Sequence, residues 1–157
     1  KTVLDLLEDI DQRVYPVGRL DYDTTGALLL TNDGTIANQL MHPKSRVDKI
    51  YLAKVSGIAT VEKLAPLKQG VIIKGRKTAP ARVTIERVDK DKKTSMVRII
   101  IHEGRNHQVK KMFQAVGFPV QKLKRERYGE LTLQGLRPGQ YRDLTKKEIS
   151  QLLNQAK

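Results

Sequence analysis

Two segments near the middle of the chain, Ala81 to Val88 and Ser95 to His102, alternate apolar with other residues, and they are joined through Asp89-Lys90-Asp91-Lys92. Side chains project to opposite faces along a strand, so this period of two marks a pair of half-buried strands. A parallel crossover needs about a dozen residues or more, so the short connection predicts an antiparallel hairpin.

Other elements distribute around this hairpin. Thr2 is expected to cap a short helix carrying Val3, Leu4, Leu7 and Ile10. Val14 to Leu20 reads as a strand, Asp21 to Gly26 as a polar loop, and the apolar run Ala27 to Thr31 as a strand buried on both faces. Asn32-Asp33-Gly34 is a turn, and Thr35 is expected to cap a helix that His42-Pro43 stops. A strand over Val47 to Val55 precedes a helix capped by Thr60 and closed by Gly70; Gly70 to Ile73 is a further strand. The spacing predicts a helix over His107 to Val116 with Gly117 as its C-cap, then strands over Val120 to Tyr128 and Glu130 to Leu133. Thr145 and Glu148 form a capping box for the last helix. Strands outnumber helices, and several connections are too short for crossovers. The fold class is therefore α+β, a mixed and largely antiparallel sheet flanked by helices. The 157 residues suit a single domain, with no repeat, low-complexity stretch or evident linker.

Charge narrows the partners. Thirty Lys and Arg stand against 17 Asp and Glu, a net charge of +13. The cations are spread through the chain rather than gathered in a tail, which favours a folded nucleic-acid-binding surface over a merely soluble basic protein. Aromatic residues make up 4% and Trp is absent, so base stacking is not the expected main mode of binding. No basic amphipathic helix with bulky aromatics suggests a membrane surface, and no apolar run is long enough to span one. The absence of cysteine excludes disulfides and thiolate metal sites and fits a cytoplasmic location.

Two motif-like features fail on spacing, and a third has plainer explanations. Gly70 to Thr78 approximates a phosphate-binding loop, but Arg76 intrudes between Gly75 and Lys77, and the segment precedes a strand. His102-Glu103 and His107 are five apart rather than four, so they do not form a zinc pair on one helical face. Asp21, Asp23 and Asp33 admit a magnesium nuclease, although Asp33 lies in a turn signal and Asp23 suits a loop cap. No metal site is expected.

Three segments remain. Gly18-Arg19-Leu20-Asp21-Tyr22-Asp23-Thr24-Thr25-Gly26 is a polar loop between apolar strands, the setting in which rigid scaffolds present reactive groups, or else an ordinary turn. Glu103 to Phe113 sets cationic and amide side chains at the start of a helix, whose free N–H groups favour anions; the bland alternative is a solvated basic face, which fits Lys111 better than Lys110. Lys49-Ile50-Tyr51-Leu52 places Tyr51 on the strand face opposite Ile50 and Leu52, either on the surface or in a cleft.

In this order the three segments resemble the ribosomal RNA pseudouridine synthases of the RsuA/RluB type. The resemblance covers essentially the whole chain. It rests on G-R-L-D-x-D-T-x-G followed by L-L-L-T-N-D-G, on K-x-Y-L, on E-G-R-N-H-Q-V-K-K-M-F, and on Tyr128-Gly129 leading to Leu136-Arg137-Pro138-Gly139 and Arg142-Asp143-Leu144. It implies that Asp21 is the catalytic aspartate, assisting departure of uracil from ribose C1′ or forming a covalent intermediate. Tyr51 matches the active-site tyrosine that packs on the base and accepts or relays a proton. Lys110 matches the basic partner of the aspartate, an Arg in sister families. Arg19, Arg105, His107 and Gln108 are expected to contact RNA or shape the site. The reaction gains no atoms and involves no redox change, so it needs no cofactor. The target base must leave its stack to be reached.

Members of the family begin with a small RNA-binding module that nothing here matches, and the first residue is Lys. The chain, residues 1–157, is therefore expected to be the catalytic domain of a monomeric enzyme acting on ribosomal RNA or a pre-ribosomal particle. Tyr22 and Thr24-Thr25-Gly26 look closer to the 23S rRNA enzymes than to the 16S ones. The competing reading is a noncatalytic RNA-binding or ribosome-assembly module, against which the joint presence of Asp21, Tyr51 and Lys110 argues.

Overall fold

The computed structural model describes residues 3–7, 13–18 and 20–157. The hairpin is present: β7 (Arg82–Asp89) and β8 (Thr94–Ile101) pair antiparallel, from Arg82 opposite Ile100 to Asp89 opposite Thr94. β4 (Lys49–Ser56) pairs antiparallel with β8 on one side and with β9 (Val120–Tyr128) on the other. β10 (Leu131–Thr132) closes the β9 edge antiparallel, and β2 (Thr24–Gly26) joins β9 in parallel. The sheet runs β10-β9-β4-β8-β7 with β2 against β9, so it is mixed and largely antiparallel as expected. Two ribbons stand apart from it: β1 (Tyr15–Pro16) with β3 (Leu30–Thr31), and β5 (Ile72–Ile73) with β6 (Arg76–Lys77).

Helices α2 (Val61–Gln69) and α3 (Gln108–Ala115) cover one face of the sheet. Leu64, Leu67, Val109, Met112 and Phe113 meet Ala53, Val55, Val97, Ile99 and Leu123 there in one buried cluster. Each large apolar side chain so buried contributes about 1.5–3 kcal/mol. A second cluster joins α1 (Gly34–Met41) and α4 (Lys146–Gln155) through Ala37, Leu40 and Leu152 to Val17, Val47, Tyr128 and Leu131. The capping box of α4 forms as expected, and Arg142 grips the Glu148 carboxylate with both terminal nitrogens, holding its pKa down at about 2. Among the described residues, no helix is long and apolar enough to cross a membrane.

Several local expectations are corrected. The cap of α1 is Asp33, whose carboxylate accepts from the backbone of Thr35 and Ile36, because an Asx side chain reaches two and three residues ahead. The first helical turn is a 3-10 turn over Val3–Leu6; the expected cap Thr2 and apolar Ile10 lie outside the described residues. Ala27 to Thr31 is half-buried, and only Leu30–Thr31 forms a strand. Thr24 to Gly26, read as loop, is strand β2. The expected Gly117 cap gives way to Val116, with Gly117 following at φ +86°.

Candidate active site

A cleft of about 540 Å³ opens between the β2 loop, the end of β8 and the start of α3, with Asp21, Lys49, Tyr51, His107 and Arg125 among its lining. Asp21 is brought here by a turn, in which the Thr24 amide donates to the Asp21 carbonyl at 2.9 Å, followed by the short parallel strand β2. Gly26 lets β2 lie this close to β9. Its φ is +117°, and a Cβ there would stand 2.1 Å from the Arg125 carbonyl oxygen. Beyond it the Ala27 amide donates to the Arg125 carbonyl, and Arg125 Nε donates to the Ala27 carbonyl, each at 2.8 Å.

Residues of α3 reach Asp21 from the other side. His107 precedes the helix in the left-handed region, φ 51° and ψ 35°, and its Nδ1 stands 3.0 Å from Asp21 Oδ2. That contact requires the Nδ1-protonated tautomer. Lys110 Nζ lies 3.9 Å from the same oxygen and bonds directly to Asp23, holding the Asp23 carboxyl below its usual range. The resemblance implied that Lys110 pairs with Asp21. In the structure its closer partner is Asp23, and one ammonium bridges both carboxylates.

Glu103, Arg105 and Gln108 are turned inward. Gln108 is buried; its Oε1 accepts from the Arg105 amide, and its Nε2 donates to Glu103 Oε1, which also accepts from the Ala79 amide. The Arg105 guanidinium donates to the Ile73 and Arg76 carbonyls, at 2.5 and 3.2 Å, and so ties the β5–β6 ribbon to the cleft wall. Both were expected to contact RNA or shape the site; in the structure their described hydrogen bonds are to other parts of the chain. Arg19, the other expected contact residue, lies outside the described residues. Among the described residues, no three His, Cys, Asp or Glu side chains converge in a way that could hold a metal ion.

Arg125, which no motif singled out, and Lys49, quoted only as the first residue of K-x-Y-L, occupy the floor beside Tyr51. Tyr51 packs on the main core and faces Arg125 across the β4–β9 pair, at a bulge that gives β9 an extra residue. Arg125 is only 4% exposed; its guanidinium sits 5.3 Å from the Tyr128 ring centre, and its Nη2 has no hydrogen-bond partner among the described residues. Lys49 Nζ lies 5.8 Å from the same ring and donates to the His102 and Glu103 carbonyls. Burial, and then the nearby Arg125, lower the Lys49 pKa from 10.5 to about 8. Burial pushes the Tyr128 phenol up. The floor is thus cationic and poorly solvated, beneath a carboxylate held by a second set of donors. Arg125 sits within the charged run Lys124-Arg125-Glu126-Arg127, so its residue type alone did not mark it as inward.

A strand-fastened Asp loop thus faces a basic helix start across one cleft on this mixed sheet. The sequence profile of the RNA pseudouridylate synthases matches residues 4–115, and the chain belongs to that family. It is 53% identical over 97% of its length to the ribosomal large subunit pseudouridine synthase B of Bacillus subtilis, covering 62% of that protein. It is 42% identical over 94% of its length to the ribosomal small subunit pseudouridine synthase A of Vibrio vulnificus, covering 64% of it. A crystal structure of a pseudouridylate synthase superposes with a TM-score of 0.78 at 37% identity, over 88% of this chain and 59% of that one. The archaeal Nop10–Cbf5 complex, at 19% identity and a TM-score of 0.57, over 83% of this chain and 42% of that one, shares the fold. The chain spans about three-fifths of the length of the curated relatives it matches.

Proposed function

We propose that the chain isomerises uridine to pseudouridine in ribosomal RNA, in the large subunit, with Asp21 as the essential carboxylate. The observation that carries this reading is Asp21 itself: 18% exposed on its side chain, in the cleft, with His107 and Lys110 on one of its oxygens. The bond between uracil N1 and ribose C1′ breaks, the base turns, and C5 bonds to C1′. N1 finally carries a proton and C5 has lost one. Asp21 assists departure of the base or attacks the sugar. Tyr51 packs against the base and relays a proton. Lys110, shared with Asp23, keeps positive charge beside the reacting carboxylate. His107 orients Asp21, while Gln108 and Arg105 hold the wall on which these groups sit. Arg19 adjoins the loop and suits a phosphate or the flipped nucleotide.

Similarity to the large-subunit enzyme at 53% against 42% for the small-subunit one favours 23S over 16S rRNA. The chain is the catalytic domain; it acts as a monomer, in the cytoplasm, on ribosomal RNA or a pre-ribosomal particle. The test is tritium release from ribosomal RNA labelled at uracil C5, with EDTA present, for the parent and Asp21→Asn. Release by the parent alone is expected, with the variant lower by about 10²–10⁴-fold or more. Equal release removes Asp21 from the reaction. Binding without release by the parent favours the noncatalytic RNA-binding module.

A further inference from the structure

The face of the sheet turned away from α2 and α3 has no helix over it among the described residues. Along β4, Tyr51, Ala53 and Val55 point into the core, so Ile50, Leu52, Lys54 and Ser56 point the other way. The registers extend this back face across four strands. Arg87, Met96, Lys54 and Lys122 form one row, and Thr84, Arg98, Leu52 and Lys124 the next. Arg127, opposite Ile50, lines a groove of about 440 Å³ on this face with Arg98, Lys124 and Glu126.

Two carboxylates of the face, Glu86 and Glu126, are already spent on one cation. Arg98 bonds to Glu86 at 2.6 Å and to Glu126 at 2.8 Å. Lys54, Arg87, Lys122, Lys124 and Arg127 have no ion-pair partner among the described residues, and all but half-buried Lys54 are exposed. Lys54 and Lys122 stand directly opposite each other in an antiparallel pair, an arrangement that destabilises a sheet. No carboxylate pairs with either lysine among the described residues; a polyanion would offset that cost. Lys122 and Lys124 are one strand repeat apart, about 6–7 Å, and Arg127 extends the line past the bulge. No aromatic side chain interrupts these rows, so the face suits phosphates rather than stacked bases.

We infer that this back face is a second RNA surface, which takes the phosphodiester backbone of a segment flanking the target while the target nucleotide occupies the cleft on the other face. The inference rests on the proposed RNA substrate but not on the chemistry at Asp21. Its experiment compares the parent with the triple variant Lys122→Glu/Lys124→Glu/Arg127→Glu, on a minimal uridine-bearing stem–loop and on a long ribosomal RNA fragment that contains it. Equilibrium binding is measured against salt, and thermal melting checks the fold. The variant is expected to bind the long RNA at least about tenfold more weakly, and its slope of log K against log salt should be shallower by about 2–3. Binding and turnover of the stem–loop should stay unchanged. Unchanged binding of the long RNA overturns the inference, as it would if an acidic protein occupies this face. Equal losses on both RNAs also overturn it, since the charges would then act only through the general field. If the variant melts early, Lys122→Gln/Lys124→Gln replaces it, with a proportionally smaller change in slope expected. A parent that binds both RNAs but converts neither leaves this surface standing while removing the proposed reaction.

Discussion

The imidazole of His107 stands nearer the Asp21 carboxylate than the Lys110 ammonium does, 3.0 Å against 3.9 Å, and the same residue carries the left-handed backbone that starts α3. These two duties separate in His107→Gly. Glycine adopts that backbone without strain, so the fold should hold and thermal melting should move little. Turnover should fall about 10- to 100-fold, the range for losing a hydrogen bond to a charged group. Melting unchanged with turnover also unchanged would remove His107 from the support of Asp21.

Tyr51→Phe addresses the proton. The ring packs on the core and should continue to do so, leaving stability near that of the parent. If the hydroxyl relays a proton, single-turnover conversion should drop by about 10²-fold or more. Near-normal conversion restricts Tyr51 to packing against the base.

Lys49 gives a dependence on pH. Its folded pKa of about 8 lies below the ordinary 10.5, so between these values the unfolded chain binds more protons than the folded one. Stability therefore rises with pH through that window: the penalty of holding a buried ammonium is complete below about 8 and disappears as the unfolded lysine also deprotonates. Tyr128, raised above its ordinary 10.0, acts in the opposite sense at the upper end, since the folded state there keeps a proton that the unfolded state loses. Urea unfolding from pH 7.5 to about 10 should show the rise in the parent and a flatter profile in Lys49→Met. Identical profiles would show that Lys49 keeps its ordinary proton affinity.

Gly26→Ala should break the seat of the Asp loop. The added methyl meets the Arg125 backbone at 2.1 to 2.8 Å, and the left-handed φ adds strain of about 1–3 kcal/mol. Melting should drop by several degrees and turnover should fall with it. A variant that keeps both would mean that β2 is free to shift away from β9.

Elements set by local rules were legible in the residues. The β7–β8 hairpin followed from alternation, and α4 from Thr145 and Glu148. Elements that depend on distant partners were not. Thr24 to Gly26 carry no strand pattern of their own and become a strand only because β9 offers an edge. The apolar run after Gly26 looked fully buried, yet most of it only connects β2 at the sheet to the small β1–β3 ribbon. Asp21, Tyr51 and His107 do converge on one cleft, as the motifs implied. Arg125 was hidden because a charged residue at an inward strand position signals nothing until the burial around it is known. Gln108 and Arg105 carry polar groups suited to RNA, but the carbonyls and amides they satisfy lie elsewhere in the chain and leave no local trace.

The bond from Arg125 to Ala27 spans 98 residues, and it bears on how the chain is made. Closing so long a loop is slow compared with forming a local hairpin. During synthesis at about 5–20 residues per second, the Asp21 loop emerges early and waits several seconds for β9. A nascent chain that stops short of Tyr128 carries the carboxylate without the whole of the strand that seats it. The Asp21 loop is therefore seated only late, when β9 takes its place between β4 and β2.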